Sequence, residues 1–466
     1  MKPSPSIRTN QPKIPATLAR QVLQQPIAAL QVWERNARTH SDRQLRQLAA
    51  SICEFGFVEP ILVDETGRII AGHGRLEAAK SLGMTAVPTL CVERLTEAQK
   101  RALVIAHNRL AELAGWDRDL LKIELGELIE IDYQVEVTGF ATGEIDMMLD
   151  GATEPTVSPD DQIPDIAPGP AVSRVGDVWN MGAHRLLCGN ALEAAAYERL
   201  MDGALAQMVF MDPPYNVPIA GHVSGLGKVQ HREFVMASGE MSRDSFIQFL
   251  ETALGQTGKA CQDGAIVFVC MDWGHTPEIL AAAAPTFGAP KQLCVWAKDN
   301  AGMGTFYRSG HELVWVFKKG TAPHINNFGL GEHGRYRTNV WRYPGISSLG
   351  AKRAEQLEMH PTVKPMALVA DAIRDCSKRH GVILDPFAGS GTTILAAERT
   401  GRIARAIELD PHYVDVILRR WQAVTGESPT LNASGQSFSE LEQVRLAESV
   451  SVATTKACKK KRGGLK

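Results

Sequence analysis

Short, unbroken apolar runs alternate with amphipathic stretches through most of the second half of the chain. Gln207 to Met211, Ala265 to Cys270, Leu293 to Trp296, Glu312 to Phe317, Val382 to Leu384 and Arg405 to Glu408 are each too short for a helix. Most are bounded by Gly, Pro or charged residues, as strands buried on both faces are. Asp244 to Leu254, Ala367 to Lys378, Ile394 to Thr400 and Asp410 to Val424 carry helical spacing between them. Strand–helix alternation from residue 175 to about 426 predicts an α/β domain with a Rossmann-like, mostly parallel sheet.

A smaller α/β domain precedes it, over residues 14–150. Asp42 to Phe55 is an amphipathic helix opened by Ser41, with Leu45, Leu48, Ile52 and Phe55 on one face. Ile61 to Val63 and Arg68 to Ile70 flank the turn Asp64 to Gly67 as a hairpin-like pair. A helix over Leu76 to Leu82, a strand over Val87 to Val92 and helices over 97–114 and 118–131 follow. Residues 151–174 are rich in Pro, Asp, Ser and Thr and read as a linker. Residues 427–466 read as a disordered tail, whose end from Lys456 has six basic residues and no acid. Such an end suits either an electrostatic arm for DNA or plain solubility.

Candidate chemistry sits where two strands stop. The run to Met211 ends in Asp212-Pro213-Pro214-Tyr215. Two prolines terminate the ladder and stiffen the exit. Asp212 and the Pro213 carbonyl can both accept from one exocyclic amine, and Tyr215 can stack on the ring that bears it. The run to Leu384 ends in Asp385-Pro386-Phe387-Ala388-Gly389-Ser390-Gly391-Thr392, with Glu408 closing the next strand about 20 residues on. Glycines let a backbone approach a ligand closely, and a helix N-terminus offers free N–H groups. Glu408 is placed to accept from ribose hydroxyls. The third glycine of a dinucleotide fingerprint is replaced by Ile394, and no Gly-Lys-Ser/Thr follows as in a P-loop.

Together with His360-Pro361-Thr362-Val363-Lys364-Pro365, these boxes resemble the S-adenosylmethionine-dependent DNA amino-methyltransferases, in the order of the permuted β group. The resemblance covers about residues 175–425. It implies S-adenosylmethionine as cofactor and duplex DNA as substrate, with the target base flipped out of the helix. It implies a cofactor site at Asp385, Phe387, Gly389, Gly391, Thr392 and Glu408, with Thr362 and Lys364 on the carboxylate and Asn190 at the adenine. It also places a target-recognition segment at about 320–358, where Arg335, Arg337, Arg342, Lys352 and Arg353 would contact DNA. Asp rather than Ser at the head of the catalytic box implies adenine N6 over cytosine N4. The glycine-containing loop from Asn216 to Gly239 reads either as a lid over the flipped base or as a disordered insertion with no role. Tyr307 reads either as core packing or as a wall of the base pocket.

Residues 14–149 are similar to the ParB N-terminal domain family, on Asn36-Ala37-Arg38, Gly72-His73-Gly74-Arg75 and His107-Asn108-Arg109. The resemblance implies a nucleoside triphosphate or DNA as ligand. Gly72, His73, Gly74 and Arg75 would form the phosphate site, since a glycine turn at a helix N-terminus binds anions. No helix-turn-helix is legible after them.

Net charge is −2, so affinity for DNA must come from local basic patches. The eight cysteines are scattered without Cys-x-x-Cys spacing, which predicts no zinc site and no disulfide frame. Without a long apolar run or a signal-like start, a cytoplasmic protein is expected. Oligomeric state is not fixed by the sequence, and a homodimer is compatible with it. Two other functions remain open: a methylase of RNA or of a protein amide, and a nucleotide-gated ParB-like DNA-binding protein with a vestigial methylase.

Overall fold

The computed structural model describes residues 19–150, 161, 163–164, 166–167, 169–217, 239–302, 306–329, 336–345 and 364–447. The chain divides at Ala141/Thr142 into two compact units.

The first unit holds a four-stranded sheet ordered β1-β4-β2-β3, from β1 (Ala19–Pro26), β2 (Ile61–Val63), β3 (Ile69–Ala71) and β4 (Ala86–Val92). β2 and β3 form the antiparallel pair expected around Asp64–Gly67, and β1 is a strand that its polar sequence hid. Ser41 accepts from the Gln44 amide at 3.2 Å and opens α1 (Asp42–Phe55) as its sequence dictates. Phe55 is nevertheless 47% exposed, and no residue of α1 is fully buried. The core lies instead under α2 (His73–Ser81), where Leu76 and Ala79 meet Ile61, Val63 and Ile69. α3 (Glu97–Glu112) and α4 (Arg118–Glu130) complete the unit, α3 behind a full Thr96–Gln99 capping box.

The second unit begins with α5 (Thr142–Asp150), which the sequence had placed in the first domain. Asp146 explains the transfer. Both its oxygens accept from Arg402, at 3.1 and 2.8 Å, and Arg379 adds a third bond at 3.2 Å. Asp146 and Arg402 are both buried, so the pair pins α5 to the sheet that follows.

That sheet has ten strands in the order β11-β9-β10-β8-β7-β12-β13-β6-β5-β14. They are β5 (Val178–Met181), β6 (His184–Cys188), β7 (Ala206–Met211), β8 (Cys261–Met271), β9 (Gln292–Gly302), β10 (Ser309–Lys318), β11 (Val340–Arg342), β12 (Val382–Asp385), β13 (Ile403–Glu408) and β14 (Thr430–Leu431). From β6 through β13, β12 and β7 to β8 every pairing is parallel. α6 (Ala194–Met201), α7 (Arg243–Lys259) and α8 (Thr276–Phe287) cover one face through Leu200, Phe246, Leu250 and Ile279. α9 (Met366–Cys376), α10 (Thr392–Arg399) and α11 (Pro411–Thr425) cover the other through Leu368, Ile394, Ile417 and Trp421. Among the described residues, no helix is long and apolar enough to cross a membrane.

Two expected boundaries move. The stretch read as a linker is already part of the body at its described points. Asp161 accepts from the Met366 amide at 2.8 Å, and the Val172 and Ser173 amides donate to Asp415 at 2.7 and 2.9 Å. Residues 427–447, read as the start of a loose tail, are folded: β14 pairs with β5, and Phe438 packs edge-on against Trp179 at 5.5 Å. The polar composition of 427–447 concealed three anchors, Leu431, Phe438 and Leu441, all buried. The basic end beyond 447 lies outside the described residues.

Candidate active site

Four parallel strands, β7, β12, β13 and β6, are neighbours and end on one edge of the sheet. Their carboxyl ends deliver Asp212, Asp385, Glu408 and Asn190 to that edge. The helices that follow β12 and β7 go to opposite faces, which opens a crevice between these two strands. The acid–proline corner and the glycine bend therefore face each other across one crevice, although 170 or more residues of chain separate them.

The glycine bend is built for a ligand. Gly389 has φ +54°, and a side-chain carbon placed there would meet nothing within 4 Å. Gly391, φ +85°, instead presses on Ile417, whose Cγ2 would lie 2.9 Å from such a carbon. Glu408 accepts from the Gly389 amide at 2.8 Å with one oxygen and from the Asp410 amide at 2.8 Å with the other. Burial still pushes its carboxyl up to about 7, despite those two amides. Asp385 lies beneath the bend and accepts from the Phe387 amide at 3.0 Å. It too is raised to about 7 by burial, against the pull of the Thr393 hydroxyl and the Phe387 amide. Arg420 holds the bend from behind through the Ser390 carbonyl, at 3.0 Å. Thr392 opens α10, and Asn190 turns its side-chain oxygen onto the Leu192 amide at 3.0 Å. A group with hydroxyls for Glu408 and a thin edge for Gly389 fits this cradle.

The opposite corner is organised by charge. One oxygen of Asp212 accepts from the Tyr215 hydroxyl at 2.6 Å, and the other from Lys364 at 2.6 Å. The Lys364 Nζ also lies 3.1 Å from Glu312 Oε2 and 3.5 Å from the Tyr215 hydroxyl. Lys298 in turn donates to the second oxygen of Glu312. Burial alone would push the Lys364 ammonium down, but Asp212 and Glu312 together raise it above its ordinary value. Glu312 is held at about 2, because Lys364 and Lys298 outweigh its burial. Both groups stay ionised across the working range of pH. Burial raises the Tyr215 hydroxyl well above its ordinary value, so it remains a donor.

Two expected site residues take protein partners in the structure. Lys364, expected on a cofactor carboxylate, donates to Asp212 and stands in ion-pair range of Glu312. Glu312 and Lys298 were not among the expected site residues: Glu312 heads a run that reads as plain core, and Lys298 lies just past the run that ends at Trp296. Arg337, expected to contact DNA, faces inward, donating to Asp375 at 2.8 Å and to the Tyr343 hydroxyl at 3.0 Å. Two buried acids on α9 demand a cation, and Arg337 is in reach. Arg342 does face solvent, as does Tyr336 at 84% exposure. Tyr307 is 82% exposed, which rules out core packing. Asn216 clamps the two ends of the loop expected to act as a lid, accepting from the Gly239 and Met241 amides at 3.1 Å. Residues 218–238 of that loop lie outside the described residues, as do Thr362, Arg335, Lys352 and Arg353.

In the first unit, Gly72 takes φ +103° as the N-cap of α2, and His73 and Gly74 open the helix. Arg75 is turned onto Glu59 and the Pro60 carbonyl rather than held free for an anion. Arg38 and Arg109, from the first and third boxes of the expected set, meet at Glu112.

Comparison with known proteins gives three family matches: a DNA methylase over residues 206–419, a ParB N-terminal domain over 15–109 and a ParB-methyltransferase HTH domain over 119–175. The last overturns the absence of a helix-turn-helix read from the sequence. Its range takes in α4, a 3-10 turn at Val135–Thr138 and α5. The ParB-like nuclease domain-containing protein YnaK of Escherichia coli is 46% identical over 80 residues, 17% of this chain and 92% of that one. Type II methyltransferase M.ScaI of Streptomyces caespitosus is 43% identical over 91 residues, 19% of this chain and only 30% of that enzyme. DNA adenine methyltransferase YhdJ of Escherichia coli is 24% identical over 253 residues, 49% of this chain and 80% of that one.

Proposed function

The chain belongs to the DNA methylase family of N6 and N4 amino-methyltransferases and carries a ParB N-terminal domain, and from that premise we propose that it methylates the exocyclic N6 of adenine in duplex DNA. The observation that carries the reading is the pairing of β7 with β12, which puts Asp212 at the same sheet edge as the Gly389–Glu408 cradle.

S-adenosylmethionine, when bound, supplies an electrophilic methyl group. The cradle fits it: Glu408 would accept from the ribose hydroxyls, and the open side of Gly389 lets the backbone lie close. The protein's own work is alignment. An exocyclic amine on an aromatic base is a poor nucleophile, because its lone pair is delocalised into the ring. Asp212 and the Pro213 carbonyl accept its two hydrogens and so turn the lone pair toward the methyl group. A base inside a duplex cannot reach this corner, so it is flipped and stacked on Tyr215. Lys364 stays protonated and serves as no general base. No covalent enzyme intermediate is required.

Asp at the head of the box and the likeness to an adenine methyltransferase favour N6 over cytosine N4. We assign duplex DNA as partner, with Arg342 and Tyr336 as exposed contacts, and place the protein with its DNA in the cytoplasm. A nucleoside triphosphate at Gly72–Arg75 would have to draw Arg75 away from Glu59.

The test is to incubate the purified chain with unmethylated duplex DNA and cofactor, then map modified bases by sequencing. We expect N6-methyladenine at one short motif. Asp212→Asn should lower turnover at least about 100-fold while cofactor affinity holds. Methyl groups found only in RNA or protein, or near-normal turnover in the Asn variant, would refute the reading.

A further inference from the structure

Both oxygens of Asp212 are already engaged, one by Tyr215 and one by Lys364 at 2.6 Å. An incoming amine must compete with an ammonium for the same acceptor. Glu312 lies ready on the other side of that ammonium. Its Oε2 is buried and 3.1 Å from Nζ, yet among the described residues no group donates to it with hydrogen-bond geometry. Its other oxygen is occupied by Lys298. A buried carboxylate oxygen held by an ion pair but not by a well-aligned hydrogen bond gains from a closer approach of its donor.

The geometry points to Glu312 as a second seat for Lys364: the lysine moves from Asp212 to Glu312 Oε2 as the target amine arrives, so that the catalytic acceptor is freed only when a base is present. This deepens the amino-methyltransferase reading and rests on it. No bond is made or broken; Nζ keeps its three hydrogens and exchanges one carboxylate acceptor for another. A small turn of the lysine end is sufficient, because Nζ is already in ion-pair range of both acids. Tyr215 keeps its own bond to Asp212 and holds the carboxylate in place during the exchange. Cys270 lies beneath as a thiol that burial raises well above its usual range, so it offers the lysine no competing anion. Glu312 is thus a positioning residue, acting through Lys364.

A suppressor experiment tests this. E312Q keeps shape and removes the charge that draws Lys364 away, so the lysine stays on Asp212. We expect kcat on duplex DNA to fall about tenfold or more, with cofactor affinity within about twofold by calorimetry. Adding K364M to E312Q removes the competitor and one charge of opposite sign. The double variant should recover at least about threefold in kcat over E312Q. E312D keeps the charge and should fall between wild type and E312Q, which separates loss of charge from damage to the fold. The inference is overturned if E312Q turns over like wild type, if the double variant is as slow as E312Q, or if E312Q loses cofactor affinity in step with turnover. A wild-type chain that methylates no DNA overturns the amino-methyltransferase reading itself; a wild-type chain that does, with any of those three results, overturns only the two-seat lysine.

Discussion

Gly389 and Gly391 are two residues apart and both left-handed, but they do different work, and a matched pair of alanine variants separates it. Alanine at φ +54° or +85° costs about 1–2 kcal/mol of backbone strain. At Gly389 nothing more is paid in the free protein, because the new methyl group points into open space. At Gly391 the methyl group would sit 2.9 Å from Ile417 Cγ2 and 3.0 Å from its Cγ1. Ile417 is buried and β-branched and cannot swing aside, so overpacking adds about 1–3 kcal/mol. Gly391→Ala should therefore lose about 2–5 kcal/mol of stability in urea denaturation, and Gly389→Ala about 1–2 kcal/mol. Cofactor affinity should run the other way. A methyl group in the space where the ligand lies is overpacked only when the ligand is bound, at about 1–3 kcal/mol, or roughly 5- to 150-fold in Kd. Calorimetry on each variant reads both sides. Gly389→Ala binding S-adenosylmethionine as tightly as wild type would show that the open face of the bend is not the ligand's path.

The buried acids of the cradle give a pH dependence with a definite sign. Asp385 and Glu408 are both raised to about 7, so the folded state holds their protons more tightly than the unfolded chain does. Their contribution to stability is present at low pH and is lost as pH climbs from about 4 to about 7, on the order of 4 kcal/mol for Asp385. Ribose hydroxyls and a sulfonium both favour the ionised acids, so cofactor binding near pH 6.5 should release protons, seen as a buffer-dependent binding enthalpy. An enthalpy equal in all buffers would refute this. Asp146→Ala should cost about 3–5 kcal/mol, since it strands the buried Arg402, and Asp146→Ala with Arg402→Met should cost less than the single variant. Equal stability of the single variant and wild type in urea would show the pair to be idle.

The strands and helices of the second unit were legible because each apolar run was short, continuous and ended by a turn residue. The crevice was legible for a related reason: a proline pair and a glycine bend mark strand ends, and strand ends of a parallel sheet share an edge. What stayed hidden was identity of contact. Lys364 and Arg337 were visible as cations, but their partners, Asp212, Asp371 and Asp375, are set by folding and not by spacing. Glu312 could have been suspected as the lone acid in an otherwise apolar strand. The fold of residues 427–447 rests on three apolar side chains in a polar stretch, too few to stand out by periodicity.

The last folded segment closes on the first. Thr430 and Leu431 pair with Asn180 and Trp179, and Arg445 reaches back to the Val172 carbonyl at 2.7 Å and to Asp177. Entrance and exit of the ten-stranded sheet thus stand within one arginine's length of each other. A gene rewritten to join residue 447 to residue 172 through a few glycines, and opened at the exposed bend around Gly203, would ask no strand to change neighbours. Such a ring-shifted protein keeps the sheet order and the crevice intact, which is how one edge of one sheet can be inherited under more than one order of its pieces.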